Sequence, residues 1–188
     1  MNANLLRAQV CGRGLVLIGY RGSGKSTVGK IIADRLLRPF WDTDLEIEAR
    51  SGRSIAAIFA EEGEPSFRDW EEQTIAAIVG ESPDGVLATG GGVVLREANR
   101  RRIRDFGFVA WLQTRPEELA RRLETDPRSL ASRPALTGEG TLGEIVPVLA
   151  ARTALYRELA DAVVETDGKS PDLIASSLID CWLLGPTT

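Results

Sequence analysis

Leu15, Val16, Leu17 and Ile18 form an unbroken apolar run ended by Gly19, the pattern of a short strand buried on both faces of a parallel sheet. A glycine-rich turn follows. From Lys25 onward Val28, Ile31, Ile32 and Leu36 recur at helical spacing, so an amphipathic helix starts directly off that turn. The alternation continues: PFWDTD reads as a second strand, GVLATGGG as a third, FVAWLQ as a fourth and DAVVET as a fifth, with helical segments between them. Ser66 precedes an amphipathic run carrying Phe67, Trp70, Ile75 and Ile78 and is expected to open that helix. Thr114 and Glu117 have the spacing of a capping box, and Ser170 with Pro171 gives a cap and first-turn pair for a last helix. Alternating strands and helices predict an α/β fold, a mostly parallel sheet covered on both faces. Residues 125–141 break the rhythm, carrying two prolines, two glycines and no apolar period, and read as a long loop of the kind that serves as a lid.

Length and composition narrow the chemistry. The chain has 188 residues, enough for one self-sufficient core, and its 43% hydrophobic and 27% charged content is that of an ordinary globular domain. The net charge of −4 and a pI near 5.1 argue against a dedicated nucleic-acid or anionic-membrane binder, so any anionic ligand needs a local basic cluster. Histidine is absent, which removes imidazole catalysis and leaves carboxylates as the available general bases. Cys11 and Cys181 are too far apart for a redox pair and too few for a disulfide framework, which suits a reducing, cytoplasmic setting. No apolar run is long enough to span a membrane. Lys25, Lys30 and Lys169 are the only lysines among 23 basic residues, so an arginine carries meaning only within a motif.

Gly19, Gly24, Lys25 and Ser26 fit G-x-x-x-x-G-K-[ST] within GYRGSGKST. Such a loop needs glycines because its N–H groups must turn inward around a phosphate. Lys25, expected to face solvent, reaches the β and γ phosphates, and the Ser26 hydroxyl ligates Mg²⁺. After the second strand comes Asp42-Thr43-Asp44. Carboxylates two apart on an extended strand end face the same side, so one is suited to Mg²⁺ or its waters and the other to accepting a hydroxyl proton. Taken alone, the pair fits two surface turn aspartates equally well.

In order along the chain, GYRGSGKST, Asp42-Thr43-Asp44, SGRSIAAIF, GEPSFRDWE, TGGGVV, RPAL and RTALYRELA, with Arg152 and Tyr156 in the last, resemble the shikimate kinase family. That family is a small branch of the nucleoside monophosphate kinase-like P-loop proteins, and the matching pieces run from Leu15 to Pro171. The resemblance implies a three-layer P-loop NTPase fold with a central five-stranded parallel sheet in a single domain. Within it, the core would run from about residue 14 to 183, the substrate segment from about 44 to 75, and a mobile lid from about 125 to 141. It further implies transfer of the γ-phosphoryl group of ATP to the 3-hydroxyl of shikimate, with Mg²⁺ as the metal.

By the same resemblance Lys25, Asp44 and Arg133 are catalytic, Arg133 arriving with lid closure, and Ser26 and Asp42 serve the metal. ATP contacts come from Gly22, Ser23, Gly24, Lys25, Ser26, Thr27, Arg128, Arg133, Lys169 and Pro171, with Arg128 and Pro171 sandwiching adenine. Substrate contacts come from Asp44, Arg68, Gly90, Gly91, Gly92 and Arg152. The chemistry of these side chains agrees. Arg68 suits a bidentate pair with the substrate carboxylate, the alternative being a surface salt bridge. The triple glycine suits close approach of a ligand with Gly91 N–H donating, the alternative being only a tight turn. Arg152 is a second carboxylate partner or a solvated helix arginine. Two other functions compete: a related kinase of quinate or gluconate, and a nucleotide-binding regulatory module without catalysis. Neither nucleic acid nor membrane is expected as a partner, and a monomer is expected.

Overall fold

The run Leu15–Ile18 lies at the centre of the molecule because both of its faces find apolar neighbours. In the computed structural model, which describes residues 13–81, 84–125 and 140–184, five strands form one sheet: β1 (Gly14–Ile18), β2 (Phe40–Asp42), β3 (Val86–Ala88), β4 (Gly107–Gln113) and β5 (Ala162–Glu165). Their order is β2-β3-β1-β4-β5, and every pairing is parallel. Leu15 is in register with Val86 on one side and Phe108 on the other.

Successive β1 side chains point to opposite faces. Leu15 and Leu17 pack with Val28, Ile32 and Leu36 of helix α1 (Lys25–Leu36) and with Ile174 and Leu178 of the C-terminal helix α7 (Pro171–Leu184). Val16 and Ile18 pack on the other side with α3 (Ile55–Glu81), α4 (Glu97–Phe106) and α6 (Gly140–Leu159), through Ile75, Ile103 and Tyr156. Helices therefore cover both faces, as the alternating pattern predicts. Each fully buried Leu or Ile contributes about 1.5–3 kcal/mol, which is why these positions tolerate no polar residue. Among the described residues no helix is long and apolar enough to cross a membrane.

Three local expectations are corrected. The helix carrying Phe67 and Trp70 does not open at Ser66; it is the second half of α3, restarting after a break at Gly63 (φ 80°, ψ 177°) with Pro65 in its first turn. Ser66 donates its hydroxyl to Glu62 instead of capping. Helix α5 (Pro116–Thr125) has no Thr114 cap, because the Thr114 hydroxyl pairs with that of Thr166 at 2.6 Å. The Arg115 N–H meets the Asp167 carboxylate at 3.3 Å. Thr125, Gly140 and Thr141, expected in the loop, are helical. The rest of that stretch, 126–139, with Arg128 and Arg133, lies outside the described residues. The final helix opens as predicted: the Ser170 hydroxyl accepts the Leu173 N–H at 3.3 Å.

Candidate active site

Ligands of parallel α/β sheets gather at the carboxyl ends of the strands, and the predicted motifs meet there. After β1 the loop turns through Gly22 (φ 78°) and Gly24 (φ 95°), left-handed conformations that a Cβ would strain. Gly24 is also the N-cap of α1 and offers no side-chain acceptor, so the first-turn N–H groups of this 12-residue helix remain to bind an anion. Lys25 is not solvent-facing as expected. It is 7% exposed, and its ammonium donates to the Tyr20 carbonyl at 2.6 Å and to Ser23 Oγ at 3.3 Å. A buried ammonium needs acceptors; the loop supplies its own, and a phosphate oxygen is chemically able to take their place.

The Asp42-Thr43-Asp44 segment is not the extended strand end that the same-side argument assumed. The strand stops at Asp42, which caps a helix that the apolar pattern did not disclose, α2 (Thr43–Ser51). Asp42 Oδ1 accepts the N–H groups of Asp44 at 3.0 Å and Leu45 at 3.5 Å, while Oδ2 accepts the Ser26 hydroxyl. Burial raises the Asp42 carboxyl above its ordinary value, and the Ser26 hydrogen bond pulls it back. Ser26 and Asp42, predicted to share a metal, are thus in direct contact. They form a hard-oxygen pair suited to Mg²⁺, which takes one or two protein oxygens and completes its shell with phosphate and water. Among the described residues no cluster of three or more acidic, histidine or cysteine ligands exists, so a cage built wholly of protein is not available there. Asp44, half-buried in the first turn of α2, is held beside the glycine turn because its neighbour Thr43 accepts the Gly90 N–H at 2.8 Å.

Both predicted substrate arginines converge on that turn. A Cβ on Gly92 would lie 2.2–2.5 Å from the Arg68 guanidinium, so only glycine permits the approach. A Cβ on Gly91 would lie 3.2 Å from the Arg21 backbone nitrogen, which sets the turn directly against the phosphate loop. The Gly91 carbonyl accepts Arg152 Nη1 at 3.2 Å and the Tyr156 hydroxyl. Burial pushes the Tyr156 phenol up to about 12, so it remains a donor at working pH. Arg152 is 8% exposed and is not the solvated arginine of the alternative. Nor is Arg68 in a surface salt bridge. It is 7% exposed and ion-paired to Glu71 at 2.9 Å and Glu64 at 2.8 Å, both on its own helix.

On the other flank of the loop, Lys169, in the turn that joins β5 to α7, and Pro171, the first residue of α7, are exposed. Arg122 of α5 links this turn to the loop, donating to the Thr166 carbonyl at 3.0 Å and the Gly22 carbonyl at 3.4 Å. Arg21 of the loop pairs with buried Glu144 of α6 at 3.1 Å. Sequence reasoning missed Thr43, Glu64, Glu71, Arg122 and the Arg21–Glu144 pair. The i, i+3 and i, i+4 spacings around Arg68 and between Glu118 and Arg122 were the available signals.

The comparisons with known proteins agree with this geometry. A family model described as shikimate kinase matches residues 21–182. The shikimate kinase of Pseudomonas fluorescens is 43% identical over 169 residues, covering 89% of this chain and 95% of its own. That of Rhodopirellula baltica is 42% identical over 165 residues, covering 88% of each. Among solved structures, the shikimate kinase of Acinetobacter baumannii in complex with shikimate superposes with a TM-score of 0.88 at 32% identity, over 97% of this chain and 99% of that one. A gluconokinase from Sinorhizobium meliloti reaches 0.58 at 19% identity, over 92% of each chain, a likeness of fold alone. With a phosphate loop and a triple-glycine turn on neighbouring strand ends, two buried helix arginines reaching that turn, and relatives this similar along nearly its whole length, the chain belongs to the shikimate kinase family.

Proposed function

We propose that the chain transfers the γ-phosphoryl group of ATP to the 3-hydroxyl of shikimate, an ATP:shikimate 3-phosphotransferase of aromatic amino-acid synthesis. One observation carries the reading at the level of the site. The turn that gathers Arg68 and Arg152 follows β3 and abuts the phosphate loop after β1, the adjacent strand. A small carboxylate held by the arginines then presents its hydroxyls to a phosphate held by the loop. The A. baumannii relative, solved with shikimate, supports that choice of substrate.

Each part has a defined task. The loop N–H groups and Lys25 bind the phosphates of ATP and balance charge as the γ-phosphoryl moves, which is most of what a kinase must do. Gly22, Ser23 and Thr27 belong to the same cradle. Bound Mg²⁺, held by Ser26 and Asp42, would neutralise negative charge on the β and γ phosphates. Asp44 orients the reacting hydroxyl and accepts its proton. Gly90, Gly91 and Gly92 let the substrate approach the backbone, and Tyr156 with Arg152 fixes the Gly91 peptide. Lys169 and Pro171 flank the nucleotide, with Arg122 tying their turn to the loop. Arg128 and Arg133 keep the adenine and phosphoryl roles that the resemblance implies. Cysteine usage and chain length favour a cytoplasmic monomer, one domain from about residue 14 to 183 with its substrate segment near 44–75.

The deciding experiment is a coupled ADP-release assay on a panel of shikimate, quinate and gluconate. Shikimate should be the preferred acceptor, with kcat/KM for the other two lower by about tenfold to a hundredfold, the discrimination that pocket shape alone provides. A preference for quinate or gluconate would reassign the acceptor. Tight ATP binding with transfer to none of them would favour the regulatory module.

A further inference from the structure

Arg68 holds two carboxylates in different circumstances. Glu71 is fully buried and meets Nη1 at 2.9 Å. Glu64 keeps 46% of its side chain exposed and places one oxygen, Oε1, 3.1 Å from Nε and 2.8 Å from Nη2. The Nε and Nη2 hydrogens form a side-on fork that can pair with both oxygens of a carboxylate. That fork is filled by the chain's own residue.

The two acids also differ in freedom. Glu71 cannot leave without stranding a buried charge, at a cost that few folds tolerate. Glu64 is the first residue after the break at Gly63 and has solvent on one side. Its carboxylate can rotate into water without any change in the second half of α3. A third carboxylate at one guanidinium would face repulsion from both acids, and release of the exposed one relieves it.

The geometry points to Glu64 as a built-in competitor of the substrate: its carboxylate occupies the Arg68 fork and must be displaced into solvent when the substrate carboxylate binds. The inference rests on the reading of Arg68 as the substrate-carboxylate site. Binding at this end is then an exchange of one carboxylate for another, and its net strength is that of the desolvated substrate pair less the weaker, partly exposed Glu64 pair. An uncharged ligand cannot drive the exchange, so the contact keeps Arg68 compensated against anything but a carboxylate.

The test is calorimetric titration of shikimate, its methyl ester and ADP into the wild-type chain, Glu64→Gln, Glu64→Ala and Arg68→Lys. Both Glu64 variants should bind shikimate about two- to fivefold more tightly, the value of a partly exposed ion pair that no longer has to be broken. Their affinities for the methyl ester and for ADP should not change, a pattern that a merely structural role would not produce. Glu64→Gln preserves side-chain volume and carries the test if Glu64→Ala does not fold. Unchanged or weaker shikimate binding in a folded Glu64 variant, with affinity lost in Arg68→Lys, overturns the competitor role and leaves the Arg68 reading standing. Equal tightening for the methyl ester overturns it as well. Undiminished shikimate binding in Arg68→Lys removes both.

Discussion

Lys25→Met should lower phosphoryl transfer about a thousandfold or more, the effect of removing a charge contact worth several kcal/mol to the transferring group. The variant should still fold. Methionine keeps most of the lysine volume, but it leaves the Tyr20 carbonyl without the donor that reaches it at 2.6 Å. That carbonyl keeps the Ser23 N–H at 3.2 Å, so the loss is one hydrogen bond, about 1 kcal/mol, which for a chain of this size lowers Tm by a few degrees. Turnover at saturating ATP and shikimate, read beside a thermal melt, separates the two effects. Near-normal turnover in a folded Lys25→Met would falsify the phosphate-loop mechanism.

Arg68→Ala should raise the shikimate KM about thirtyfold or more while leaving the ATP KM close to wild type, because removing one side of a desolvated charge pair costs about 2–5 kcal/mol. The structure adds a second expectation. Glu71 is fully buried, and without the guanidinium its charge is uncompensated, so the alanine variant should also lose stability. Arg68→Lys distinguishes binding from folding: it retains a cation for Glu71 but has no planar fork for the substrate. Its melt should stay near wild type while its shikimate KM rises. Steady-state kinetics on both variants check this, and a parallel loss of ATP affinity would mark Arg68 as structural.

The strands were legible because β1, β3 and β4 are buried on both faces, so each is an apolar run bounded by glycine or polar residues. The phosphate loop was legible because its geometry demands glycine at fixed places. Helix α2 was not read, since Asp42-Thr43-Asp44 was treated as extended chain, although an aspartate followed by Asp44 and Glu46 in the first turn is a capping signal. The break at Gly63 is carried by Gly63 and Pro65 together, and it moves the start of the Arg68 segment upstream of Ser66. What sequence spacing could not disclose is contact at long range. Arg122 meets Gly22 across a separation of 100 residues and Tyr156 meets Gly91 across 65, and neither pairing follows from a local period.

The strand order has a stereochemical consequence. Adjacent strands lie about 4.8 Å apart, and the phosphate loop and the glycine turn leave the sheet from β1 and β3, which are neighbours. A phosphate in one and a hydroxyl in the other are therefore within reach of a single displacement, with the entering oxygen on one side of phosphorus and the departing ADP oxygen on the other. No carrier residue has to ferry the group between them. One displacement reverses the handedness of the phosphorus centre and two would restore it, so a chiral γ-thiophosphate labelled with oxygen isotopes should leave this enzyme inverted.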